Sequence, residues 1–285
     1  MTLLLQISDP HFGTERPDVV EALLQLAAHE QPDLAVLSGD ITQRARRSQF
    51  AAARAFVDRL GALPVLVIPG NHDIPLFNFV ARVLRPYANH QRVFGTNLEP
   101  VFESRELLVI GVNTTRVSRH TEGEVSAEQI ERVARQLEHA TPAQLRVVVT
   151  HQPVASVTAE DTRHLLHGRE PAVRRWAQAG ADLIVGGHIH LPYVLPLARR
   201  ADIARPVWAV QAGTAVSTRV RARIPNSVNL IRYDADAPNG RTAIVARYDY
   251  DEDSKAFVPV LQHDLELAGD GKTLSSASVR AAGQS

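Results

Sequence analysis

The sequence contains no cysteine among its 285 residues. Disulfide bonds and thiolate metal sites are therefore excluded, and any metal ion must be held by nitrogen and oxygen donors. Excess charge is also absent, because Lys plus Arg equals Asp plus Glu at 31 each. This balance disfavours a strongly basic nucleic-acid binder, although it is compatible with a local basic patch.

Long apolar runs are missing as well. No run approaches the roughly 20 residues that a membrane-spanning helix needs. The three leucines near the start have no basic segment before them and no cleavage-site pattern after them, so we predict no signal peptide and a cytoplasmic protein.

With 45% hydrophobic residues the chain can build a sizeable core. We predict a single domain over residues 1–266 and a disordered tail, rich in Gly, Ser and Ala, over residues 267–285.

Five stretches of the chain share one arrangement, in which an apolar strand candidate is followed closely by Asp, Asn or His. The polar residues concerned are Asp9 and His11, Asp40, Asn71 with His72 and Asp73, His151, and His188 with His190. Ligands of parallel sheets bind at the carboxyl ends of strands. One such motif is weak evidence, since surface turns often contain these residues. The coincidence of five predicts a common site.

Helical spacing of apolar residues separates the strand candidates. We predict helices over residues 17–29, 48–60, 75–84, 127–139 and 170–179, the fourth starting at a capping box of Ser126 and Gln129. This alternation predicts a largely parallel sheet. Residues 86–103 are predicted to be irregular, and residues 154–168 to form a loop with a short helix. From Pro206 onward the pattern predicts successive antiparallel strands over 207–211, 227–233, 241–250 and 257–263.

Two carboxylates, one amide and four imidazoles form a donor set suited to Mn, Fe or Zn. Seven donors exceed what one ion normally takes from protein, so two ions are expected, and Asp40 is short enough to bridge them. Two ions about 3.5–4 Å apart can hold a hydroxide, bind a phosphoryl oxygen and stabilise an in-line displacement. The sequence therefore predicts hydrolysis of a phosphoester.

These five motifs, in this order, resemble the signature of the calcineurin-like metallophosphoesterases, and most closely their bacterial cyclic-nucleotide and glycerophosphodiester phosphodiesterase branch. The resemblance implies an α/β fold of four layers, an αββα sandwich with mixed sheets. It also implies that one metal is held by Asp9, His11, Asp40 and His190, and the other by Asp40, Asn71, His151 and His188. His72 would be the unmetallated imidazole that contacts the phosphate or protonates the leaving group.

The sequence departs from the family pattern at Gln43, where many members have an Asp that orients the catalytic His. Gln cannot hold a positive charge on His72 as a carboxylate would. Asp73 is the candidate replacement. For substrate binding we propose Arg44, which Arg46 and Arg47 closely follow, and Arg116, because arginine recognises phosphate well. Arg44 is equally compatible with a solvated helix start.

The leading prediction is a phosphodiesterase that acts on a small phosphoester substrate. The alternatives are a phosphomonoesterase, a pyrophosphatase acting on a nucleotide-linked lipid, or a scaffold that keeps the fold without catalysis. A nuclease is disfavoured by the charge balance. The C-terminal antiparallel strands could cover a sheet edge or form the interface of a homodimer.

Overall fold

A computed structural model describes residues 1–119, 121–197, 203, 205–221, 223–238 and 240–268, and the backbone of 278–281. Two mixed β-sheets face each other, and each carries helices on its outer side. This confirms the predicted four-layer αββα sandwich. Among the helices of the described residues, none has the length and apolar character that crossing a membrane requires.

The first sheet has three parallel strands at its centre and one edge: β1 (Thr2–Ile7), β2 (Leu34–Ser38) and β3 (Val65–Ile68). Four further strands extend it on the other side of β1. They are β10 (Ser227–Asp234), β11 (Thr242–Asp251), β12 (Ala256–Glu266) and β13 (Ser278–Ala281), and each pairs antiparallel with its neighbour. The strand order is β13-β12-β11-β10-β1-β2-β3.

The second sheet has the order β4-β5-β6-β7-β9-β8. Its parallel strands are β5 (Leu107–Gly111), β6 (Leu145–Val149), β7 (Leu183–Gly186) and β9 (Trp208–Gln211). The antiparallel edges are β4 (Val101–Glu103) and β8 (Tyr193–Pro196). Apolar side chains of the two sheets form one buried cluster between them, which explains why the central strands read as nearly continuous apolar runs.

Helices α1 (Pro17–Glu30) and α2 (Arg47–Arg59) cover the first sheet, and α5 (Ala127–Glu138) and α6 (Arg169–Gln178) cover the second. The capping box at the start of α5 is present, with Gln129 N donating to Ser126 Oγ at 3.2 Å. Residues 154–168 contain one short 3-10 helix, Glu160–His164, as predicted. Two short helices, α3 (Phe79–Leu84) and α4 (Ala88–Phe94), follow β3.

Three sequence-based expectations differ from the structure. Residues 86–103 are not irregular, because they contain α4 and β4, and α4 buries His90 against Phe50. The strand at 207–211 does not start the antiparallel run, because β9 lies in the second sheet, where it pairs in parallel with β7 and antiparallel with β8. Within the segment expected to be a tail, residues 278–281 pair with β12, while residues 269–277 and 282–285 lie outside the described part.

Candidate metal centre

The predicted ligands come together where parallel strands of both sheets end. Asp9 and His11 follow β1, Asp40 follows β2, and Asn71 opens a short 3-10 helix after β3. The second sheet supplies His151 after β6, and His188 and His190 after β7. The His151 ring crosses to the first sheet, where Nδ1 donates to the Ser38 carbonyl oxygen at 2.9 Å. The site therefore lies between the carboxyl ends of the two sheets.

The backbone at these residues turns sharply. Asp9, His11, Asp40, His188 and His190 all have positive φ angles, between 44° and 74°. This left-handed region is uncommon for residues other than glycine. Such conformations cost free energy and persist where the surrounding structure imposes them, often at functional sites. At these residues the left-handed conformations turn the chain so that the Asp and His side chains face the same site.

Two glycines allow the strand ends to approach each other. Gly39 has a φ of +96°, and a Cβ there would lie 2.4 Å from Nδ1 of His151. A Cβ on Gly70 would lie 2.0 Å from the backbone nitrogen of Asp40. Both contacts are closer than a side chain tolerates. The glycine of the Gly-Asp motif is therefore explained by space and by backbone conformation, whereas Gly70, with a φ of −104°, is explained by space alone.

Asp9, His11 and His190 form the first group of donors, with the three ligand atoms all within 4.8 Å of one another. Nε2 of His190 lies 3.3 Å from Oδ1 of Asp9 and 3.1 Å from Nε2 of His11. The other Asp9 oxygen accepts from Ser8 Oγ at 2.6 Å and from the His188 backbone N–H at 2.9 Å. This leaves Oδ1 directed at the two imidazoles.

The second group consists of Asp40, His151 and His188, again within 4.8 Å. Nε2 of His151 lies 3.2 Å from Oδ1 of Asp40 and 3.2 Å from the Asn71 amide oxygen. Asp40 also faces the first group, because its Oδ2 lies 3.7 Å from Nε2 of His11. Asp40 thus belongs to the second group and also faces the first.

The hydrogen bonds of the site fit a bound cation. Nδ1 of His151 donates to a carbonyl, and Nδ1 of His190 donates to the Arg219 carbonyl at 2.6 Å, so in the neutral rings Nε2 carries the lone pair. Asp9 Oδ1 and both ring nitrogens of His188 are buried without a hydrogen-bond partner among the described residues. Buried polar atoms are rarely left unpaired. Oxygen and imidazole donors that converge in this way suit borderline divalent metals.

The charges of the site also favour cations. Burial alone would raise the pKa of Asp9, but the neighbouring His190 lowers it well below its usual range. Burial opposes the charged form of His151, yet the Asp40 carboxylate raises the pKa of that histidine to about 9. Burial lowers the pKa of His11 and of His188 to about 3, which keeps both rings in the neutral form that binds metals.

His72 borders the same site without belonging to either group. Its Nδ1 donates to the Gln43 carbonyl oxygen at 2.9 Å, and its Nε2 lies 4.0 Å from Oδ2 of Asp40.

Asp73 stabilises the backbone around the site. Its carboxylate accepts from the backbone N–H groups of Gly70, Ile41 and Thr42 and from the Thr42 hydroxyl, at 2.8–3.0 Å. Asp73 therefore ties the loop after β3 to the loop that carries Asp40.

A cavity of about 610 Å³ opens over these residues. Its lining includes Asp40, Asn71, His72, His188 and His190, together with Thr121, Glu160, Asp161, Arg163, His164, Ile189, Arg219, Val220 and Arg221.

The structure places neither Arg44 nor Arg116 in the lining of this cavity. Arg44 lies over the Phe77 ring, with 5.2 Å from Cζ to the ring centroid. Arg116 donates to the carbonyls of Asn113 and Thr115 and to the side chain of Gln129. Its guanidinium therefore stabilises the loop between β5 and α5.

Three other arginines line the cavity: Arg163, Arg219 and Arg221. Nη1 of Arg219 lies 3.1 Å from the Gln43 amide oxygen and 3.2 Å from Nε2 of His72. Arg221 donates to both carboxylate oxygens of the buried Asp161, at 2.8 and 3.2 Å. Sequence reasoning missed Arg219 and Arg221, because they lie in the middle of the long loop between β9 and β10 and not directly after a strand.

The calcineurin-like phosphoesterase family profile matches residues 2–192, which include all seven predicted ligands. The chain is 41% identical over 86 residues to the glycerophosphodiester phosphodiesterase GpdQ of Enterobacter lignolyticus, covering 25% of this chain and 29% of that protein. It is 26% identical over 182 residues to a probable cyclic nucleotide phosphodiesterase of Synechococcus, covering 63% of this chain and 66% of the relative. A probable cyclic nucleotide phosphodiesterase of Rhodococcus erythropolis is also 26% identical, over 202 residues and 64% of its length. The chain thus spans less than two thirds of each of these relatives.

Solved structures share the fold at low sequence identity. A purple acid phosphatase from yellow lupin superimposes with a TM-score of 0.63 at 11% identity, covering 87% of this chain and 51% of that one. A dimetal phosphatase from Danio rerio gives 0.60 at 14% identity, covering 86% and 95%. The profile match extends over more than half of the chain and includes every motif of the candidate site, and the chain therefore belongs to the calcineurin-like phosphoesterase family.

Proposed function

We propose that the protein hydrolyses a small phosphodiester with two metal ions of the Mn, Fe or Zn type. The observation that carries this proposal is the position of Asp40 between two groups of oxygen and imidazole donors beneath a cavity lined by arginines. In the proposal Asp9, His11, Asp40 and His190 hold one ion, and Asp40, Asn71, His151 and His188 hold the other. When bound, two such ions supply Lewis-acid charge to the phosphoryl group and activate the attacking water.

The chain's own residues orient the substrate. We assign Arg219 to a non-bridging phosphoryl oxygen, because its guanidinium lines the cavity beside His72 and is oriented by the Gln43 amide. His72 is fixed by the bond from Nδ1 to the Gln43 carbonyl, which directs Nε2 away from that carbonyl. In this position Nε2 of His72 contacts the phosphoryl group or, when it carries the second ring proton of the imidazolium, gives that proton to the leaving oxygen. Arginine suits the first contact because its planar group matches phosphate geometry.

The cavity lining also bears on the leaving alcohol. Apart from its imidazoles, the described lining has no aromatic ring, and only Ile189 and Val220 are apolar. Nucleobases are usually bound by stacking on aromatic side chains. This lining therefore supports a polar alcohol, as in a glycerophosphodiester, over a nucleoside. The names of the relatives include both substrate types.

Metal content and turnover test the proposal together. Protein purified without chelator is analysed for bound metals and assayed with matched chromogenic mono- and diesters, glycerophosphodiesters and cyclic nucleotides. We expect about two ions per chain, preference for diesters, and loss of turnover on chelation that Mn, Fe or Zn restores. Asn71→Ala and His151→Ala should each lose metal and turnover, whereas His29→Ala, a surface change at the end of α1, should lose neither.

Three results would overturn the proposal in different ways. Full turnover after complete metal removal would exclude a metal-dependent reaction. A preference for monoesters or for a nucleotide-linked pyrophosphate would support the corresponding alternative hydrolase. Failure to take up metal and to turn over any ester would support a non-catalytic scaffold.

The cytoplasmic location and the homodimer stay predictions.

A further inference from the structure

Five apolar side chains on and next to α3 are exposed to solvent: Phe77, Phe79, Val80, Val83 and Leu84. We call this set the apolar ridge. Phe77, Phe79 and Leu84 expose 81%, 76% and 73% of their surface, and α3 buries none of its residues. Single exposed apolar residues are ordinary, but a contiguous set of large ones marks an interaction surface.

The ridge is held in place by polar contacts below it. The Asn78 side chain caps α3 by accepting from Ala81 N at 2.9 Å. The Arg82 guanidinium donates to the backbone carbonyls of Val117, Pro75 and Arg119, at 3.0–3.3 Å. A six-residue helix has little stability of its own. These bonds hold α3 at the surface while its apolar side chains point outward.

Arginines border the ridge. Residues 41–57 and 74–98 contain seven arginines and no Asp or Glu, although the whole chain has a net charge of zero. Within the described part of the chain, five of these arginines are exposed and make no ion pair. They are Arg44, Arg46, Arg47, Arg85 and Arg92, and we call them the basic margin.

The ridge and the margin form one surface. Arg47, Arg85 and Arg92 line a groove together with Val80 and Leu84. At the other end of the ridge, the Arg44 guanidinium lies over the ring of Phe77. Apolar side chains thus project beside a groove whose charged lining residues are all arginines.

We propose that the apolar ridge and the basic margin bind the surface of an anionic lipid bilayer. Exposed Phe and Leu side chains insert at the boundary between headgroups and acyl chains, while arginines attract anionic headgroups. A second copy of this chain fits the surface less well, because a two-fold contact would bring two basic margins together. The proposal is independent of the reaction, because none of these residues belongs to the candidate metal centre.

Co-sedimentation with vesicles tests the proposal. The full chain is mixed with vesicles of phosphatidylcholine alone, or of phosphatidylcholine with an equal amount of phosphatidylglycerol, at low and high salt. We expect sedimentation with the anionic vesicles only, and weaker binding at high salt because exposed charges are screened. Phe79→Ser with Leu84→Ser, and Arg85→Gln with Arg92→Gln, should each weaken binding by roughly tenfold or more.

Matched changes outside the surface are the controls. Val101→Ser and Arg135→Gln alter an exposed apolar residue on β4 and an exposed arginine on α5, and both should bind like the unaltered chain. Thermal unfolding checks that each variant is folded. Binding to neither vesicle, equal binding to both, or equal loss in the controls would overturn the proposal. A dimer in sedimentation velocity that Phe79→Ser with Leu84→Ser abolishes, without vesicle binding, would assign the surface to a second copy.

Discussion

Nη1 of Arg219 lies 3.2 Å from Nε2 of His72, and the same nitrogen lies 3.1 Å from the Gln43 amide oxygen. Gln43 occupies the position where the family resemblance implies an Asp. A carboxylate there would pair with Arg219 and neutralise it, whereas a neutral amide orients the guanidinium and leaves its positive charge in place. The glutamine at position 43 therefore leaves the positive charge of Arg219 unpaired by that side chain, and this charge favours an anionic group in the cavity.

Replacing Arg219 by Gln tests this assignment. We expect kcat/KM for a phosphodiester to fall by roughly 10- to 100-fold, since a charge-assisted hydrogen bond contributes about 1.5–3 kcal/mol. Metal content should be unchanged, because the contact to His190 uses the Arg219 backbone carbonyl. Steady-state kinetics with metal analysis on the same sample measures both.

Two further variants make the Arg219 result specific. Arg219→Lys keeps the charge without the planar group, so its kcat/KM should lie between those of the unaltered chain and Arg219→Gln. Arg135→Gln removes an exposed arginine on α5 and should leave the kinetics unchanged. A fall in kcat/KM that accompanies loss of metal would show that Arg219 acts through the metal centre and not on the substrate.

The residues that form the candidate metal centre could be predicted because their signal is local. Each of the five motifs directly follows an apolar strand, and parallel strands bring such ends to one edge without any knowledge of distant contacts. The start of α5 was predictable for the same reason, since Ser126 and Gln129 form their capping box within four residues.

The arginines that line the cavity could not be predicted because their contacts are long-range. Arg44 follows Gln43 in the sequence, yet its side chain lies over Phe77 and does not line the cavity. Arg219 is 176 positions from Gln43 and reaches it only through the loop after β9. The placement of β9 could not be predicted for the same reason. Its residues do not show that it joins the second sheet, where it pairs in parallel with β7 and antiparallel with β8.

Asp73 is predicted to stabilise the loop that carries Asp40. Replacing Asp73 by Ala leaves four buried donors without their acceptor, so we expect the free energy of unfolding to fall by about 3–5 kcal/mol. Asp73→Asn keeps one carbonyl oxygen but directs an amide N–H₂ toward the other donors, and should lose about 1–2 kcal/mol. Urea unfolding in the presence of chelator measures this without a contribution from metal binding.

A surface carboxylate gives the matched control for Asp73. Asp58→Ala removes an exposed ion pair with Arg54 on α2 and should change the free energy of unfolding by less than about 0.5 kcal/mol. Equal stability of Asp73→Ala and Asp58→Ala would contradict the proposed role. Metal affinity offers a second readout, because a loosened Asp40 loop should bind metal more weakly at temperatures where the variant is still folded.

His90 is predicted to make folding sensitive to acid. The ring is fully buried on α4 against Phe50 and Phe94, and neither nitrogen has a hydrogen-bond partner in the described ranges. Burial lowers the pKa of His90 to about 4, from an ordinary value of 6.5. Between these two values the unfolded chain binds a proton that the folded chain does not. This histidine therefore costs no stability above pH 6.5, and stability is lost as the pH falls from 6.5 toward 4.

His90→Leu should remove this loss, because leucine fits an apolar environment and does not titrate. We expect the free energy of unfolding of the unaltered chain to decrease relative to the variant by about 2–3 kcal/mol between pH 7 and pH 4. Urea unfolding across that range measures the difference, and histidines common to both proteins cancel in it. His29→Leu, at the exposed end of α1, should keep the acid sensitivity. If His90→Leu follows the same pH curve as the unaltered chain, the ring must already be protonated or solvated in the folded protein, and the buried neutral imidazole is ruled out.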